Sequence, residues 1–449
     1  MSKMPPTRIA VIGGGPGGSF FSLFALQWAE KLGLDISISI FDRKDFNQPG
    51  PKGCNMCAGA ISFSLINRMK EIGVNLAPPV IQHEINGFCV HSSEDAAALR
   101  LLPEAKIYSV FRGGGPRRND LGQLVSFDQF LLEKAISRGA EFLPLRVKKV
   151  QLAEAKVEIQ TEEDLEPYYA DLIIGAFGVN STIINRFTPH YIPPKTWHTC
   201  QTEIPLSEDY LKNYFFDMIH IFPSERHDMK FLAVTPKRDY ITVSGIGPHV
   251  KREDLRDAIN KSKLRSYLPD KWEMACHCHP QVPVTRSYRP YGHRMAVIGD
   301  ASYSRYLKNG IESAFITAGL AAETAFNHGI TVNDWRENYD RLARKKYVID
   351  NLFGKIIFKA YDVIVANRYL SKAQFKALSQ ESDEIRDASG KLSPIIGHMF
   401  SGDIPYMHIL KQILDVNLQA RLFFNLYGAI YGDLASTLQK SLFNRIPKL

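Results

Sequence analysis

A glycine-rich turn constrains this chain more than any other feature of its sequence. Residues 13–18 read Gly-Gly-Gly-Pro-Gly-Gly and contain a G-x-G-x-x-G pattern. The apolar residues 8–12 before the turn predict a strand, and the helical spacing of residues 20–32 after it predicts a helix. Residues 36–41 then predict a second strand. This strand–turn–helix–strand order is typical of a βαβ unit that binds a dinucleotide.

Each part of this turn has a physical reason to bind a dinucleotide. Gly13 allows the tight turn, Gly15 lets the backbone approach a pyrophosphate, and Gly18 lets the helix pack closely on the strand. Asp42 ends the second strand, where its carboxylate can accept hydrogen bonds from the adenosine ribose, and Arg43 follows it. We therefore predict these five residues as cofactor-binding.

A second motif lies near residue 300 and indicates which dinucleotide is bound. The apolar run 295–298 is followed by Gly299 and Asp300, and a helix is predicted to begin at Gly310 and Ile311. A carboxylate here can bind a ribityl hydroxyl, and the helix N-terminus can face the N1–C2=O edge of a reduced flavin. The two motifs together favour FAD over NAD.

The positions of these motifs predict an α/β protein with a Rossmann-type FAD-binding domain. With 449 residues, 45% hydrophobic and 23% charged, the chain is neither disordered nor a small disulfide scaffold. The predicted FAD-binding domain comprises 1–190, with strands of a substrate sheet near 86–112, and returns at 291–330. A β-rich substrate domain is inserted at 191–290, and 331–449 form a helical C-terminal extension.

These motifs resemble those of the FAD-dependent hydroxylase superfamily, and the best match within it is the geranylgeranyl reductase family. The resemblance covers about residues 7 to 330. It rests on the glycine turn, Phe127-Asp128-x-x-Leu131, the segment 171–178 and Gly299-Asp300. It implies noncovalent FAD and the reduction of isolated C=C bonds in an isoprenoid chain.

The loop 51–62 resembles the cysteine-glycine loop that lies beside the flavin ring in that family. Cys57 fits the family cysteine, because Ala-Gly-Ala-Ile-Ser follows it, and Cys54 is additional. A thiol there could supply a proton that complements a hydride from flavin N5. We predict both as catalytic, while a redox disulfide and a pair of buried structural thiols are the alternatives.

Residues 231–237 stand where the reductases carry an aromatic Y-x-W-x-F-P motif that walls the substrate channel. Phe231, Ala233 and Thr235 replace its Tyr, Trp and Phe, whereas Pro236 and Lys237 are retained. The first four of these are predicted as substrate-binding. The smaller side chains predict a cavity of different width, which could admit a bulkier, ring-bearing lipid such as a prenylquinone-like or polycyclic molecule. The predicted substrate is thus a small apolar or lipid-like molecule, prenyl or other.

Phe177 stands where the related hydroxylases have an Asp that helps to hold FAD and NADPH. The residue argues against NADPH use in the hydroxylase manner. The electron donor therefore stays open between NAD(P)H, a ferredoxin and a quinol.

The segment Cys276-His277-Cys278-His279 is a further cluster of reactive side chains. Together with Cys54 and Cys57 it could form a four-sulfur metal site or a thiol relay, or all four could be structural cysteines. Nothing local forces the two cysteine pairs together, so we predict no metal ligand.

The C-terminal helices combine bulky apolar and basic residues, as in 344–359 and 413–431. They predict a cap on the substrate domain, with contact to an anionic membrane as the alternative. A net charge of +8 does not require nucleic acid, and we predict none as a partner. The sequence shows no signal peptide and no run of 18 apolar residues, which predicts a cytoplasmic protein, peripheral to a membrane if the helices bind one.

The predicted function is that of an FAD-dependent oxidoreductase. It would reduce or dehydrogenate an apolar substrate by hydride transfer at flavin N5. The alternatives are an aromatic monooxygenase and a flavin- or thiol-based redox sensor or electron-transfer protein. The sequence leaves the oligomeric state open.

Overall fold

The computed structural model describes residues 5–116, 125–183, 187, 190–224, 226, 228–307, 309–381 and 391–443. The strands of this part of the chain are β1 (Arg8–Ile12), β2 (Ser37–Phe41), β3 (Ala60–Ser62), β4 (Ile81–Ile85), β5 (Gly87–His91), β6 (Ala96–Arg100), β7 (Ile107–Val110), β8 (Ala140–Leu143), β9 (Val147–Ala153), β10 (Lys156–Thr161), β11 (Tyr168–Ala170), β12 (Leu172–Gly175), β13 (Thr196–Pro205), β14 (Met218–Pro223), β15 (Phe231–Lys237), β16 (Tyr240–Gly247), β17 (Gln281–Pro283), β18 (Tyr291–Gly292) and β19 (Met295–Val297). The helices are α1 (Pro16–Leu32), α2 (Phe63–Lys70), α3 (Phe127–Ser137), α4 (Glu208–Tyr214), α5 (Asp254–Lys261), α6 (Gly310–Glu323), α7 (Val332–Asp334), α8 (Arg341–Ala366), α9 (Arg368–Ser379), α10 (Leu392–Ser401), α11 (Tyr406–Ile413) and α12 (Val416–Phe443).

The part of the chain that contains the glycine turn and Asp300 is built on a six-stranded sheet in the order β18-β19-β12-β1-β2-β8. It is called the cofactor half below, after its predicted ligand. All strands of this sheet run parallel except β18, which pairs antiparallel with β19. Parallel strands are buried on both faces and read as continuous apolar runs, as β1 and β12 do. Strand β19 joins this sheet although more than a hundred residues separate it from β12. The predicted α/β fold class, with sheet strands from both ends of the first 330 residues, is confirmed.

The inserted region and the two earlier strands β5 and β6 together form a seven-stranded sheet in the order β17-β13-β16-β15-β14-β5-β6. This sheet is called the inserted sheet below. Strand β5 lies in this sheet, as predicted for the residues near 86–92, and it runs parallel to β14. Strand β7 differs from the prediction, because it pairs with β3 and β4 in a separate three-stranded sheet. A second three-stranded sheet, β11-β10-β9, flanks the cofactor half.

The C-terminal helices pack on the inserted sheet through a shared apolar core. Ile357 and Phe358 of α8 and Phe400 of α10 are buried together with Phe88 and Ile221 of the sheet. Among the described residues, no helix is both long enough and apolar enough to cross a membrane.

The loop before α6 is tied to the C-terminal helices by hydrogen bonds across about a hundred residues of sequence. The Asn309 side chain donates to the carbonyl oxygen of Gly402 at 2.7 Å. The Tyr406 hydroxyl donates to the carbonyl oxygen of Tyr306, also at 2.7 Å, and Arg305 donates to the carbonyl oxygen of Ile404. The helical extension is thus joined directly to the cofactor half.

Candidate active site

The glycine turn between β1 and α1 has the close contacts that its sequence predicts. Gly13 has a φ of +109°, and a Cβ there would lie 2.6 Å from the carbonyl oxygen of Ala176. A Cβ on Gly18 would lie only 1.9 Å from the carbonyl oxygen of Gly13. Gly15 is less confined, since the first atom that its Cβ would meet is Asn55 Nδ2 at 3.2 Å. Gly13 and Gly15 line a cavity, whereas Gly18 does not line it and packs against the backbone of Gly13.

Asp42 fixes the end of β2 against this turn. Its carboxylate accepts the Gly14 N–H at 2.8 Å and the Lys44 N–H at 2.9 Å. Burial raises the pKa of Asp42 despite these two hydrogen bonds. Asp42 and Arg43 both line the cavity, and their contact with the adenosine end of the cofactor stays a prediction.

Asp300 lines the same cavity as the glycine turn and lies beside the N-terminus of α6. The residues of the cofactor half that line this cavity are called the cofactor cradle below. The Asp300 Oδ1 atom is buried and has no hydrogen-bond partner, and burial raises the pKa of this carboxyl group. A Cβ on Gly310 would lie 2.8 Å from Asp300 Oδ2, so glycine leaves the room that the carboxylate needs. Gly299, Asp300, Gly310 and Ile311 all line the cavity. An unpartnered buried carboxylate oxygen beside a helix N-terminus is what a ribityl hydroxyl would satisfy, so the residues fit FAD.

A partly buried network of charged and polar side chains lies beside the cavity, and the sequence motifs did not reveal it. Arg112 Nη2 donates to Asp128 Oδ2 at 3.1 Å, and the Asn55 side-chain amide donates to the same carboxylate. Lys44 Nζ donates to Asn55 Oδ1 at 2.9 Å and to the Cys54 carbonyl oxygen at 3.1 Å. Burial alone would lower the pKa of Arg112, but the Asp128 carboxylate outweighs it and raises that pKa. Lys44, Asn55 and Arg112 line the cavity and present positive charge and amide donors to it.

The two cysteines of the loop before β3 are placed differently. Cys57 lines the cavity, and its sulfur accepts the Gly59 N–H at 3.5 Å. Cys54 does not line the cavity; its sulfur accepts the Met56 N–H at 3.2 Å, and burial raises the pKa of its thiol. Of the two predicted catalytic cysteines, only Cys57 therefore reaches the space in which the cofactor and a substrate would meet.

The second cysteine pair packs beside β13. Cys276 Sγ accepts the Glu203 N–H at 3.3 Å, and Cys278 bridges to Gln201. Burial raises the pKa of Cys276 to about 12 and raises the pKa of Cys278 further. In the described part of the chain, no three sulfurs of the two pairs lie close enough to share a metal ion. The two pairs therefore offer no four-sulfur site.

The cavity has a volume of about 980 Å³ and runs from the glycine turn to the inserted sheet. Ala233 and Thr235 of β15 line it, opposite Phe400 of α10. Phe231 does not line it and packs edge-on against Phe400, with ring centroids 5.8 Å apart. Pro236 is also outside the lining, and its carbonyl oxygen accepts the Ser109 hydroxyl at 2.8 Å. The remaining apolar residues of the sheet that line the cavity are Phe88, Ile219, Ile221, Ile246, Val282 and Pro283.

Phe177 also lines the cavity, on the cofactor side. Its ring packs edge-on against Phe187 at a centroid distance of 5.2 Å. Phe177 therefore offers an aromatic ring and no carboxylate to this side of the cavity.

Comparison with solved structures identifies the fold. A geranylgeranyl bacteriochlorophyll reductase-like protein of Thermoplasma acidophilum superimposes with a TM-score of 0.65 at 15% identity, over 91% of this chain and 99% of that chain. The chain has the fold of the geranylgeranyl reductase-like flavoproteins. A variant of the halogenase PltM, solved in complex with FAD, matches with a TM-score of 0.61 at 14% identity, over 99% of this chain and 93% of that one.

Sequence comparison agrees with this fold. The geranylgeranyl diphosphate reductase of Synechocystis is 24% identical over 394 residues, which cover 78% of this chain and 85% of the relative. No family model matches the chain. The predicted resemblance to the geranylgeranyl reductases is thereby confirmed, at a level that establishes the fold.

Proposed function

We propose that the protein is an FAD-dependent oxidoreductase that reduces or dehydrogenates a prenyl or other lipid-like substrate. The observation that carries this proposal is the continuity of one cavity from the glycine turn to the apolar face of the inserted sheet. Its volume of about 980 Å³ lies at the upper end of the range of ligand sites, about 300–1,000 Å³. One space therefore serves a dinucleotide at one end and an apolar molecule at the other.

The residues of the cofactor half would hold FAD along this cavity. The glycine turn and the start of α1 offer backbone N–H groups to the pyrophosphate. Asp300 would accept a ribityl hydroxyl, and Arg112 would offer positive charge nearby. FAD, when bound, supplies hydride transfer at N5.

The residues of the inserted sheet would position the substrate and exclude water. Ala233 and Thr235 are small, which leaves width beside Phe88 and Ile221. The Ser244 hydroxyl donates to Gln201 Oε1 at 3.0 Å, so this polar pair of the wall is satisfied internally. An apolar wall of this kind favours a hydrocarbon chain over a charged molecule. Cys57 would deliver the proton that completes reduction of a C=C bond.

We further propose that the C-terminal helices rest on an anionic membrane that supplies such a substrate. Ile349, Leu352, Ile356 and Val363 form a stripe along α8 and are each more than half exposed. Exposed lysines flank this stripe, at positions 345, 355 and 359. Helix α12 also exposes apolar and aromatic side chains, namely Phe423, Phe424, Tyr427, Ile430 and Tyr431. Apolar stripes edged with lysines are typical of helices that lie in a membrane surface.

The proposed reaction is tested by anaerobic reoxidation. The holoprotein is reduced with dithionite and mixed with geranylgeranyl-chain lipids or with prenylquinones, and the flavin absorbance is followed. We expect reoxidation with at least one lipid class and recovery of a product that has gained two hydrogens. A dehydrogenase would instead reduce the flavin when the oxidised protein meets the saturated chain.

The variant Ala233→Trp separates substrate binding from cofactor binding. It should block reoxidation by the lipid and leave dithionite reduction and FAD content unchanged. Ala98→Trp is the matched control, because Ala98 is exposed on the edge strand β6 of the same sheet. Substrate-dependent oxygen consumption with an aromatic compound would favour a monooxygenase. Reoxidation by a protein thiol alone would favour the sensor.

A further inference from the structure

A second cluster of reactive side chains lies in the inserted sheet, away from the cavity. Cys89 and His91 are two residues apart on β5 and therefore share one face. His220 on β14 pairs in register with Cys89. The Cys89 sulfur and one ring nitrogen of each histidine all lie within 4.8 Å of one another.

This cluster is separate from the proposed active site. The residues that alternate with it, Phe88, Ile219 and Ile221, line the cavity from the opposite face of the sheet, whereas Cys89, His91 and His220 do not line it. Neither the cofactor cradle nor the substrate wall uses these side chains.

The hydrogen bonds of the cluster fix the tautomers of its histidines. His220 Nε2 lies 3.1 Å from the carbonyl oxygen of Phe215, which can only accept, so Nε2 carries the proton and Nδ1 a lone pair. His91 Nε2 lies 3.1 Å from that Nδ1 and donates to it. His91 Nδ1 is then an acceptor, and it is buried without a hydrogen-bond partner. Before any ion binds, the Nε2 proton of His91 therefore lies between the two nitrogens and is held by the lone pair of His220 Nδ1.

This arrangement has the chemistry of a metal site. A histidine that binds a metal commonly donates its other N–H to a backbone carbonyl, as His220 does to Phe215. Two nitrogens bound to one ion at about 2.0–2.1 Å lie about 3.3 Å apart in tetrahedral geometry, close to the 3.1 Å between His91 Nε2 and His220 Nδ1. An ion between these nitrogens replaces the Nε2 proton of His91, which moves to Nδ1 of the same ring.

The surroundings favour an ion of low charge. The ring of Phe222 stacks on His91 at 4.0 Å, and Tyr267 contacts it edge-on at 5.2 Å. The charge of Lys263 also reaches Cys89 and His91, and it opposes a further cation there. One thiolate and two neutral imidazoles carry a charge of −1, so a monovalent ion gives a neutral complex, whereas a divalent ion leaves a buried positive charge.

We propose that Cys89, His91 and His220 bind one Cu(I) ion. Sulfur and imidazole ligands suit this soft ion. The Cys89 thiol gives its proton to solvent as the Cu–S bond forms, and copper does not change its oxidation state. Cys89 is only half-buried, which gives the ion a path to the two buried histidines.

The test is competition between FAD-loaded protein and a chromophoric Cu(I) chelator without oxygen. We expect one equivalent of copper to bind, with X-ray absorption showing one sulfur and two nitrogen ligands. Cys89→Ser and His220→Gln should each weaken binding by at least about 100-fold, with the flavin content unchanged. Cys200→Ser is the matched control, because Cys200 is a cysteine of the same sheet outside the cluster.

Three outcomes would overturn the proposal. A shell of sulfur ligands in wild-type protein would mean that other cysteines hold the copper. Full copper binding by both Cys89→Ser and His220→Gln would exclude the cluster. Zn(II) that binds at the same three side chains and is not displaced by Cu(I) would overturn the choice of a monovalent ion. The absorption measurement needs only wild-type protein, so it decides even where a variant fails to fold.

Discussion

The buried carboxylate of Asp300 can bind a cofactor hydroxyl, and the same burial lowers the stability of the cofactor-free protein. Its Oδ1 is buried without a partner, and burial raises the pKa of the carboxyl group. A carboxyl group with a raised pKa supports the folded state at acidic pH, and this support is lost as the pH rises through the folded-state pKa. At a pH above this pKa, the charged carboxylate therefore destabilises the folded protein, and a hydroxyl donor to Oδ1 offsets that cost.

The variant Asp300→Asn should separate these two effects. We expect cofactor-free Asp300→Asn to unfold at a higher temperature than wild type at pH 7, with the difference shrinking towards pH 4. FAD binding should weaken by about 1.5–3 kcal/mol, as expected for a lost hydrogen bond to a charged group. Calorimetry and flavin fluorescence measure the two quantities. Asp171→Asn, outside the cavity, is the control and should leave FAD affinity unchanged.

Cys57 and Cys54 provide a second comparison at the level of single residues. If Cys57 donates a proton to the substrate carbon, Cys57→Ala should slow reoxidation of the reduced flavin by substrate about 10²–10⁴-fold. Cys54→Ala should change this rate much less, because the Cys54 thiol does not line the cavity. Both variants should keep their FAD, which acid precipitation should release as free flavin. Equal and small effects on the rate would make both thiols structural.

Single residues differ in how far their place could be predicted from the sequence. Gly13, Asp42, Asp300 and Cys57 stand in short local patterns, and each lines the cavity. The ion pair between Arg112 and Asp128 could not be predicted in this way, because sixteen residues and a strand-to-helix connection separate its partners. A buried charge needs a partner, but the sequence alone does not say which one.

At the scale of elements, the junction of β1 and α1 depends on one atomic contact. A Cβ on Gly18 would lie 1.9 Å from the Gly13 carbonyl oxygen, whereas a Cβ on Gly17 would first meet Ala176 Cβ at 3.5 Å, an ordinary contact. We expect Gly18→Ala to destabilise the cofactor-free protein by about 1–3 kcal/mol through overpacking. Gly17→Ala should be neutral or stabilising, since alanine favours a helix by about 0.5–1 kcal/mol. Urea unfolding of both variants measures the difference, and equal loss of stability would contradict this account.

The sequence predicts elements with regular periodicity well, and two short elements less well. Strands β1 and β2 and helix α1 lie where the sequence predicts them. Helix α4 was missed within a region predicted as strand-rich, although Ser207 caps it and acidic residues fill its first turn. Strand β7 was assigned to the wrong sheet, because alternation predicts a strand but not its partner.

At the scale of the whole molecule, the exposed face of α8 predicts behaviour on vesicles. Protein should sediment with vesicles that contain phosphatidylserine, and less so at high salt, because the lysines beside the stripe are exposed to solvent. The double variant Ile349→Glu with Ile356→Glu should lose this binding. Leu152→Glu, at a half-exposed apolar residue of β9, is the control and should keep it. Wild-type protein that stays in solution would contradict the membrane proposal.

The hydrogen bonds between the loop before α6 and the C-terminal helices bear on how proteins of this fold acquire new substrates. Phe400 and Ser401 of α10 line the cavity, while Asn309 of the cofactor cradle is bonded to Gly402. Substitutions in α10 can therefore reshape the space that receives the substrate while the glycine turn and Asp300 stay as they are. Descendants of one ancestor can thus take up new substrates through the last third of the chain and inherit the redox chemistry unchanged.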